Sequence, residues 1–336
     1  MQQTINILAI ESSCDETSAA IVQGGRVLSN HIATQKVHER FGGVVPEMAS
    51  RAHMQNIVPV VDAALKDAGV NKKDIHAVAF TQSPGLIGSL LVGACFAKGY
   101  AQALNVPLIA VHHMQAHVLA HFIEDKPEFP FLCLTVSGGH TQIVLCRDYL
   151  DMEVVGETID DAAGEAFDKL AKMLGMPYPG GPLVDKYAGE GNADKFKFPM
   201  AEMQGYNFSF SGIKTSVLYF LRDQKKIDPD FVEHNIKDIC ASVQKTIISM
   251  LMAKLKKAAR DYGIKHIGIA GGVSANSGLR RTLKETGEQL GWTVYIPKFE
   301  YCTDNAAMIG ITGYHKYLKG IFTDLEVSPS ARATWQ

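Results

Sequence analysis

The apolar pattern opens with strand-like runs. Residues 5–10 are mostly apolar, a turn rich in carboxylates and hydroxyls follows (Glu11-Ser12-Ser13-Cys14-Asp15-Glu16-Thr17), and residues 18–22 resume the pattern. Gly24-Gly25 predicts a turn into a third strand. From Pro46, a residue suited to a first helical turn, Met54, Ile57, Val58, Val61 and Leu65 recur at helical spacing up to Gly69. Residues 75–81 read as a strand, 86–104 as a helix with small residues that allow close packing, and 107–111 as a short strand. Sheet and helix alternate after an antiparallel start, which predicts an α/β chain with a mixed sheet.

Residues 131–146 repeat the opening layout, with Ser137-Gly138-Gly139-His140-Thr141 as a tight turn between two apolar runs. A duplicated hairpin of this kind predicts two similar halves facing one cleft. Further on, the acid-rich stretch Asp160-Asp161 starts a helix, where both carboxylates fit as caps. Residues 208–214 are either a loop against a ligand or a helix start, and 232–262 form a long helix. A strand at 266–270 delivers Gly271-Gly272-Val273-Ser274-Ala275-Asn276 into another helix, and 292–297 is the last strand. The final helix begins around residues 301–308, so Asp304 fits either a cap or a ligand.

Composition narrows the class. The chain has 336 residues, enough for two domains or one large one, and 46% of them are hydrophobic, which suits a folded rather than a disordered protein. No apolar run is long enough for a membrane span, and the six cysteines form no C-x-x-C pair, so a cytoplasmic protein with reduced core thiols is expected. A formal charge of −2 argues against unaided grip on nucleic acid, because neutralising phosphates takes clustered Lys and Arg. The cations of the long helix (Lys245, Lys254, Lys256, Lys257, Arg260) read first as a solvated face and second as an RNA contact.

The densest chemistry lies in His112-His113-Met114-Gln115-Ala116-His117. His113 and His117 are four residues apart, so on a helix both imidazoles leave one face and can share a metal, and His121 continues the stripe. Asp304 is the natural third ligand. Met114 stands where a zinc protease of the H-E-x-x-H type carries its glutamate base. Glycine turns such as Ser137-Gly138-Gly139 and Gly271-Gly272 let backbone N–H groups converge on a phosphate, or are simply turns.

Six ordered motifs carry a resemblance across nearly the whole chain: Glu11–Thr17, Gly43-Val44-Val45-Pro46-Glu47, His112–His117, Ser137–Thr141, Gly271–Asn276 and Thr303-Asp304-Asn305. Together they resemble the tRNA N6-adenosine threonylcarbamoyltransferase (TsaD) family, and residues 206–212 resemble its bacterial branch. The resemblance implies the actin-like ATPase fold shared with sugar kinases and heat-shock chaperones, two similar subdomains around a central cleft. Residues 1–128 would form the first and 129–309 the second, with 310–336 packing back on the first.

The implied reaction moves threonylcarbamoyl from threonylcarbamoyl-AMP to the N6 amine of the adenosine beside the anticodon, in tRNAs reading ANN codons. By the same resemblance His113, His117 and Asp304 hold one divalent metal, iron or zinc. Thr135, Val136, Ser137, Gly138, Gly139, Asp168, Gly181, Asp185 and Asn276 hold the adenylate, while Glu11 and Asp15 are candidate bases. Implied partners are tRNA, an inactive paralogue of the same fold (TsaB-like) meeting the helix over 44–65, and a small P-loop ATPase (TsaE-like); no membrane is implied. One departure stands out: family members commonly carry Glu where this chain has Gln115, which implies altered charge beside the metal rather than lost binding. The competing readings are an ATP-dependent kinase or ATPase of the same fold, and a metallopeptidase.

Overall fold

The computed structural model describes residues 4–332 and 335. Contacts divide the chain into two compact units. The first runs to Pro127 and also takes Asp148–Met152 and everything from Pro297; the second comprises Glu128–Arg147 and Glu153–Ile296. Residues 297–309, which the sequence division placed in the second subdomain, thus belong with the first.

The first unit is built on β1 (Asn6–Glu11), β2 (Glu16–Gln23), β3 (Arg26–Thr34), β4 (Ala77–Ser83) and β5 (Leu108–His112). The order across the sheet is β3-β2-β1-β4-β5. β1 and β2 pair antiparallel, as do β2 and β3, whereas β4 lies parallel to both β1 and β5. β1 is buried at every position, as expected for a central strand covered on both faces. Helices α1 (Pro46–Ala68) and α2 (Ile87–Leu104) join the strands, α1 starting on its proline and ending on Gly69 in the left-handed region at φ 62°. α2 is apolar enough for a membrane span by length and composition alone, yet Leu90, Ala94, Ala97 and Ala101 are buried in the unit. The short α3 (His113–Leu119) follows β5 directly.

The second unit repeats the scheme with β6 (Phe131–Val136), β7 (Thr141–Asp148), β8 (Asp151–Glu157), β9 (His266–Ala270) and β10 (Thr293–Tyr295). Its order is β10-β9-β6-β7-β8, with β6 antiparallel to β7 and parallel to β9. Read from the other edge, this is the strand order of the first unit. The crossover from β8 to β9 carries α4 (Ala163–Met173), α5 (Gly181–Ala188), α6 (Ser211–Ile227) and the long α7 (Phe231–Tyr262), and α8 (Ser277–Leu290) joins β9 to β10. The apolar face of α7 (Ile239, Val243, Ile247, Leu251, Leu255) is the spine of this unit's core. α9 (Ala306–Leu318) returns to the first unit, where a Cβ on Gly310 would come within 2.4 Å of Val22 and one on Gly313 within 2.7 Å of Ala79. Only glycine lets the helix lie that close to the sheet.

Candidate metal centre and glycine turn

Each unit gathers one set of the residues picked out by sequence. In the first, β5 ends at His112 and the chain turns straight into α3, so His113 and His117 sit one helical turn apart on a buried helix. Their rings meet edge to face with centroids 4.7 Å apart. Asp304 arrives from the other end of the chain. Its Oδ1 lies 3.3 Å from His113 Nε2 and 3.1 Å from His117 Nε2. The ligand atoms of all three residues fall within 4.8 Å of one another, a grouping that could hold a metal ion. Asp304 does not cap α9; that task falls to Asn305, whose side chain accepts from Met308 N at 3.0 Å. His121 lies beyond the end of α3 at Leu119, in a 3-10 turn over Ala120–Ile123. Gln115 is buried between the two histidines in sequence, on the same short helix.

A neutral imidazole can donate an Nε2–H to the Asp304 carboxylate, whereas a bound metal would take the same nitrogens as lone-pair donors. Burial acts to lower the pKa of His113, but the carboxylates of Asp304 and Glu11 lift it well above the ordinary histidine value. Asp304 shows the reverse: burial acts to raise it, and His113 and His117 hold it well below the usual carboxylate range. His117 Nδ1 is buried without a hydrogen-bond partner among the described residues. A two-histidine, one-carboxylate set is one that zinc and iron both accept.

Glu11 is the last residue of β1 and fully buried. Its Oε2 lies 3.1 Å from His113 Nδ1 and accepts from Thr81 Oγ1 at 2.6 Å, while Oε1 accepts from Ser13 N at 2.5 Å. Burial works to raise its pKa, and His113 more than offsets that. The hairpin turn beyond it is pinned from two sides. His53 of α1 bonds Thr17 Oγ1 at 2.7 Å and Cys14 O at 2.9 Å. Ser12 Oγ donates to Ser89 O, and Leu86 N donates to Ser13 O. A Cβ on Gly93 would sit 2.2 Å from Ser12 Oγ, so the α2 glycine makes room for the turn. Asp15 lies in this turn, just ahead of β2. Sequence reasoning passed over its neighbour Glu16, which burial and the nearby Asp304 and Asp15 push up to about 9. The signal was present as a second carboxylate beside Asp15, but nothing in the spacing told which carboxylate faces Asp304.

In the second unit the Ser137–His140 turn links β6 to β7. Ser137 N donates to His140 O at 2.8 Å, and Ser137 Oγ accepts from His140 N at 3.1 Å. Gly138 and Gly139 are exposed, and a Cβ on either would meet nothing within 4 Å. Beneath them the packing is tight: a Cβ on Gly164 would come 2.5 Å from Ser137 O, and one on Gly271 2.5 Å from Val136 O. Gly271 also has φ +85°, a conformation other L-residues rarely adopt. Thr135 and Val136 are fully buried in β6, directly ahead of the turn.

The remaining predicted residues form two hydrogen-bonded knots. Asp168 Oδ1 accepts from Gly180 N and Gly181 N at 3.0 and 3.1 Å, holding the turn into α5. Asp185 accepts from Ser277 N, Ser277 Oγ and Gln244 Nε2, and Asn276 Nδ2 donates to Gln244 Oε1 at 2.7 Å. Asn276 caps α8 by accepting from Leu279 N at 2.9 Å. Gln244 and Ser277, which link these residues, were missed because neither stands in a motif. Asp160 does not cap α4: it accepts from Ser209 Oγ, Ser211 Oγ and Phe210 N, tying down the start of α6. Asp161 pairs with Lys169 at 2.6 Å.

Residues 26–311 match the TsaD family, described as tRNA N6-adenosine threonylcarbamoyltransferase. A relative of that description from Christiangramia forsetii is 64% identical over 334 residues, covering 98% of each chain. The chain belongs to the TsaD family. Another relative so described, from Porphyromonas gingivalis, is 57% identical over 340 residues and covers 99% of this chain and 100% of its own. Likeness extends to solved structures at low identity, which shows the fold alone. Component A of (R)-2-hydroxyglutaryl-CoA dehydratase from Acidaminococcus fermentans superposes with a TM-score of 0.55 at 14% identity, covering 94% of this chain and 99% of that one. HypF from T. kodakarensis gives 0.64 at 14% identity, covering 97% of this chain and 50% of its own. The family's fold is thus the actin-like ATPase fold, as the motifs implied.

Proposed function

We propose that the chain transfers threonylcarbamoyl from threonylcarbamoyl-AMP to the N6 amine of the adenosine beside the anticodon, in tRNAs reading ANN codons. Family membership over the whole chain makes it a tRNA N6-adenosine threonylcarbamoyltransferase. The observation that carries the mechanism is the convergence of His113, His117 and Asp304, with Nε2–Oδ1 separations of 3.1 and 3.3 Å. A kinase or ATPase of this fold would hold Mg²⁺ through carboxylates and water and has no use for paired imidazoles. A metallopeptidase of the H-E-x-x-H type carries its glutamate base directly after the first histidine, where this chain has Met114.

The donor is a mixed anhydride and already electrophilic, so the protein's work is to position it and stabilise developing charge. His113, His117 and Asp304 would hold one iron or zinc ion, which supplies Lewis acidity toward an oxygen of the donor. Glu11 orients His113 by accepting its Nδ1–H, so that Nε2 keeps its lone pair for the metal. In the second unit, Ser137, Gly138 and Gly139 offer exposed backbone to the adenylate phosphate, a surface no side chain obstructs. Asp168, Gly181, Asp185 and Asn276 hold the surrounding turns in shape for the nucleotide.

The helices α1 and α2 expose Met54, Val58, Ile87 and Leu91, an apolar surface suited to the inactive paralogue of the same fold. The small P-loop ATPase completes the set of partners, and the reaction takes place in the cytoplasm. The test is to incubate the chain and these partners with threonylcarbamoyl-AMP and an unmodified tRNA reading an ANN codon, then analyse its nucleosides by mass. The mass increase of one threonylcarbamoyl group on adenosine supports the reading; unmodified adenosine throughout rejects it.

A further inference from the structure

A tRNA presents a dense line of phosphates, and this chain's formal charge is only −2. Its cations must therefore be gathered somewhere if the chain itself meets the RNA. The richest gathering is at the C-terminal end of α7. Residues 254–265 hold five cations (Lys254, Lys256, Lys257, Arg260, Lys265) against one carboxylate, Asp261. A cavity of about 650 Å³ opens there. Lys256, Lys257 and Arg260 come to it from one face of α7, at the three- and four-residue spacing that aligns side chains along a helix. Lys265 joins from the loop before β9, and Trp292 from the chain leading into β10. Among the described residues, no carboxylate lines the cavity.

The plain alternative is a solvated face whose charges neutralise one another, and part of the cluster fits it. Lys257 lies 3.3 Å from Asp261 and 4.4 Å from the Tyr206 ring centre, and Arg260 Nε lies 3.1 Å from Asp261. Lys256 and Lys265 do not: neither forms an ion pair among the described residues, and both are exposed. Two ammoniums without counter-charges, beside a half-buried indole in a concave site, are what an RNA backbone needs: charge for phosphates and a flat apolar face for a ribose or base.

We propose that this cavity, walled by Lys256, Lys257, Arg260, Lys265 and Trp292, is a docking surface for the phosphate backbone of the tRNA substrate. The inference rests on the tRNA-modifying reading above. It places RNA on the second unit through a surface separate from the Ser137–Gly139 turn in sequence and lining.

The test compares the wild-type chain, Lys256→Gln/Lys265→Gln, and a control pair Lys72→Gln/Lys73→Gln that removes the same charge from a solvent-exposed turn of the first unit. Each is titrated with an unmodified tRNA transcript at several salt concentrations, with circular dichroism confirming the fold. Losing two phosphate contacts should lower the slope of log affinity against log salt by about 1.5, while the control keeps the wild-type slope. Trp335→Phe leaves Trp292 as the sole indole, and its fluorescence should then be quenched by tRNA. Equal slopes in all three chains, or binding of free phosphate or mononucleotide with no binding of tRNA, overturns the proposal. Nucleoside mass analysis separates the two levels. A wild type that modifies tRNA while slopes stay equal retains the function and loses the docking surface; a wild type that modifies none loses the function itself.

Discussion

Glu11 Oε2 stands 3.1 Å from His113 Nδ1, on the far side of the imidazole from Asp304. The ring is thus fixed between two carboxylates, one that would share a metal with it and one that orients it. Removing Glu11's charge without its shape should loosen the ligand rather than delete it. Glu11→Gln is expected to weaken metal affinity by about 10- to 100-fold. His117→Ala or Asp304→Ala should abolish stoichiometric metal. Elemental analysis after dialysis against graded chelator separates the two outcomes; identical metal retention in all three variants would reject the assignment.

Gly138 and Gly139 offer a cleaner contrast. Neither has a neighbour within 4 Å of a would-be Cβ, and neither has φ in the left-handed region. Gly139→Ala should leave unfolding free energy within about 0.5 kcal/mol of wild type. If the donor phosphate approaches this backbone, its affinity should still fall, by about tenfold for a loss of 1.4 kcal/mol. Calorimetric titration with a non-hydrolysable adenylate analogue reads the second quantity and urea denaturation the first.

Gly271→Ala is the opposite case. Its Cβ would meet Val136 O at 2.5 Å from a backbone at φ +85°, so folding itself should suffer. A loss of about 1–3 kcal/mol is expected, seen as an earlier urea midpoint with unchanged slope.

His315 predicts a pH response away from the metal. Its ring stacks on Tyr149 with centroids 3.6 Å apart, and burial lowers its pKa to about 4 from the ordinary 6.5. Asp148 acts to raise that value and Lys319 to lower it further. A depressed folded-state pKa means that the unfolded chain takes up the proton first as pH falls. Stability should therefore be full above pH 6.5 and decline as pH drops toward 4. His315→Phe keeps a ring against Tyr149 and removes the proton site, so denaturation midpoints measured across this range should fall less steeply in the variant.

How far the sequence foretold these features depends on how local each one is. The helix from Pro46 to Gly69 was legible because its boundaries are chemical: a proline that fits the first turn and a glycine that fits the left-handed end. His113 and His117 were legible because helical spacing alone sets their proximity. Asp304 joined them only as a surmise, since 187 residues separate it from His117 and no periodicity spans that distance. The stripe through His121 assumed a continuous α-helix, whereas the chain tightens there into a 3-10 turn. Asp160 misled similarly: a carboxylate ahead of a helix looks like its cap, yet Ser209 and Ser211 bring it to a helix 50 residues further on. The tie from Glu11 at the end of β1 to His113, the first residue after β5, depends on the order β1-β4-β5, which no local pattern reveals.

That order recurs in the second unit, so one ground plan carries two corners that differ only in their chemistry. The bend after β1 and the bend after β6 occupy the same station in one ground plan. One reads Ser12-Ser13-Cys14-Asp15 with Glu11 and Glu16 at its borders; the other reads Ser137-Gly138-Gly139-His140, bare of acids. The first corner is bordered by carboxylates, whereas the second carries none. On the reading proposed above, one frame thus offers two corners of opposite character, the first suited to a cation and the second to a phosphate.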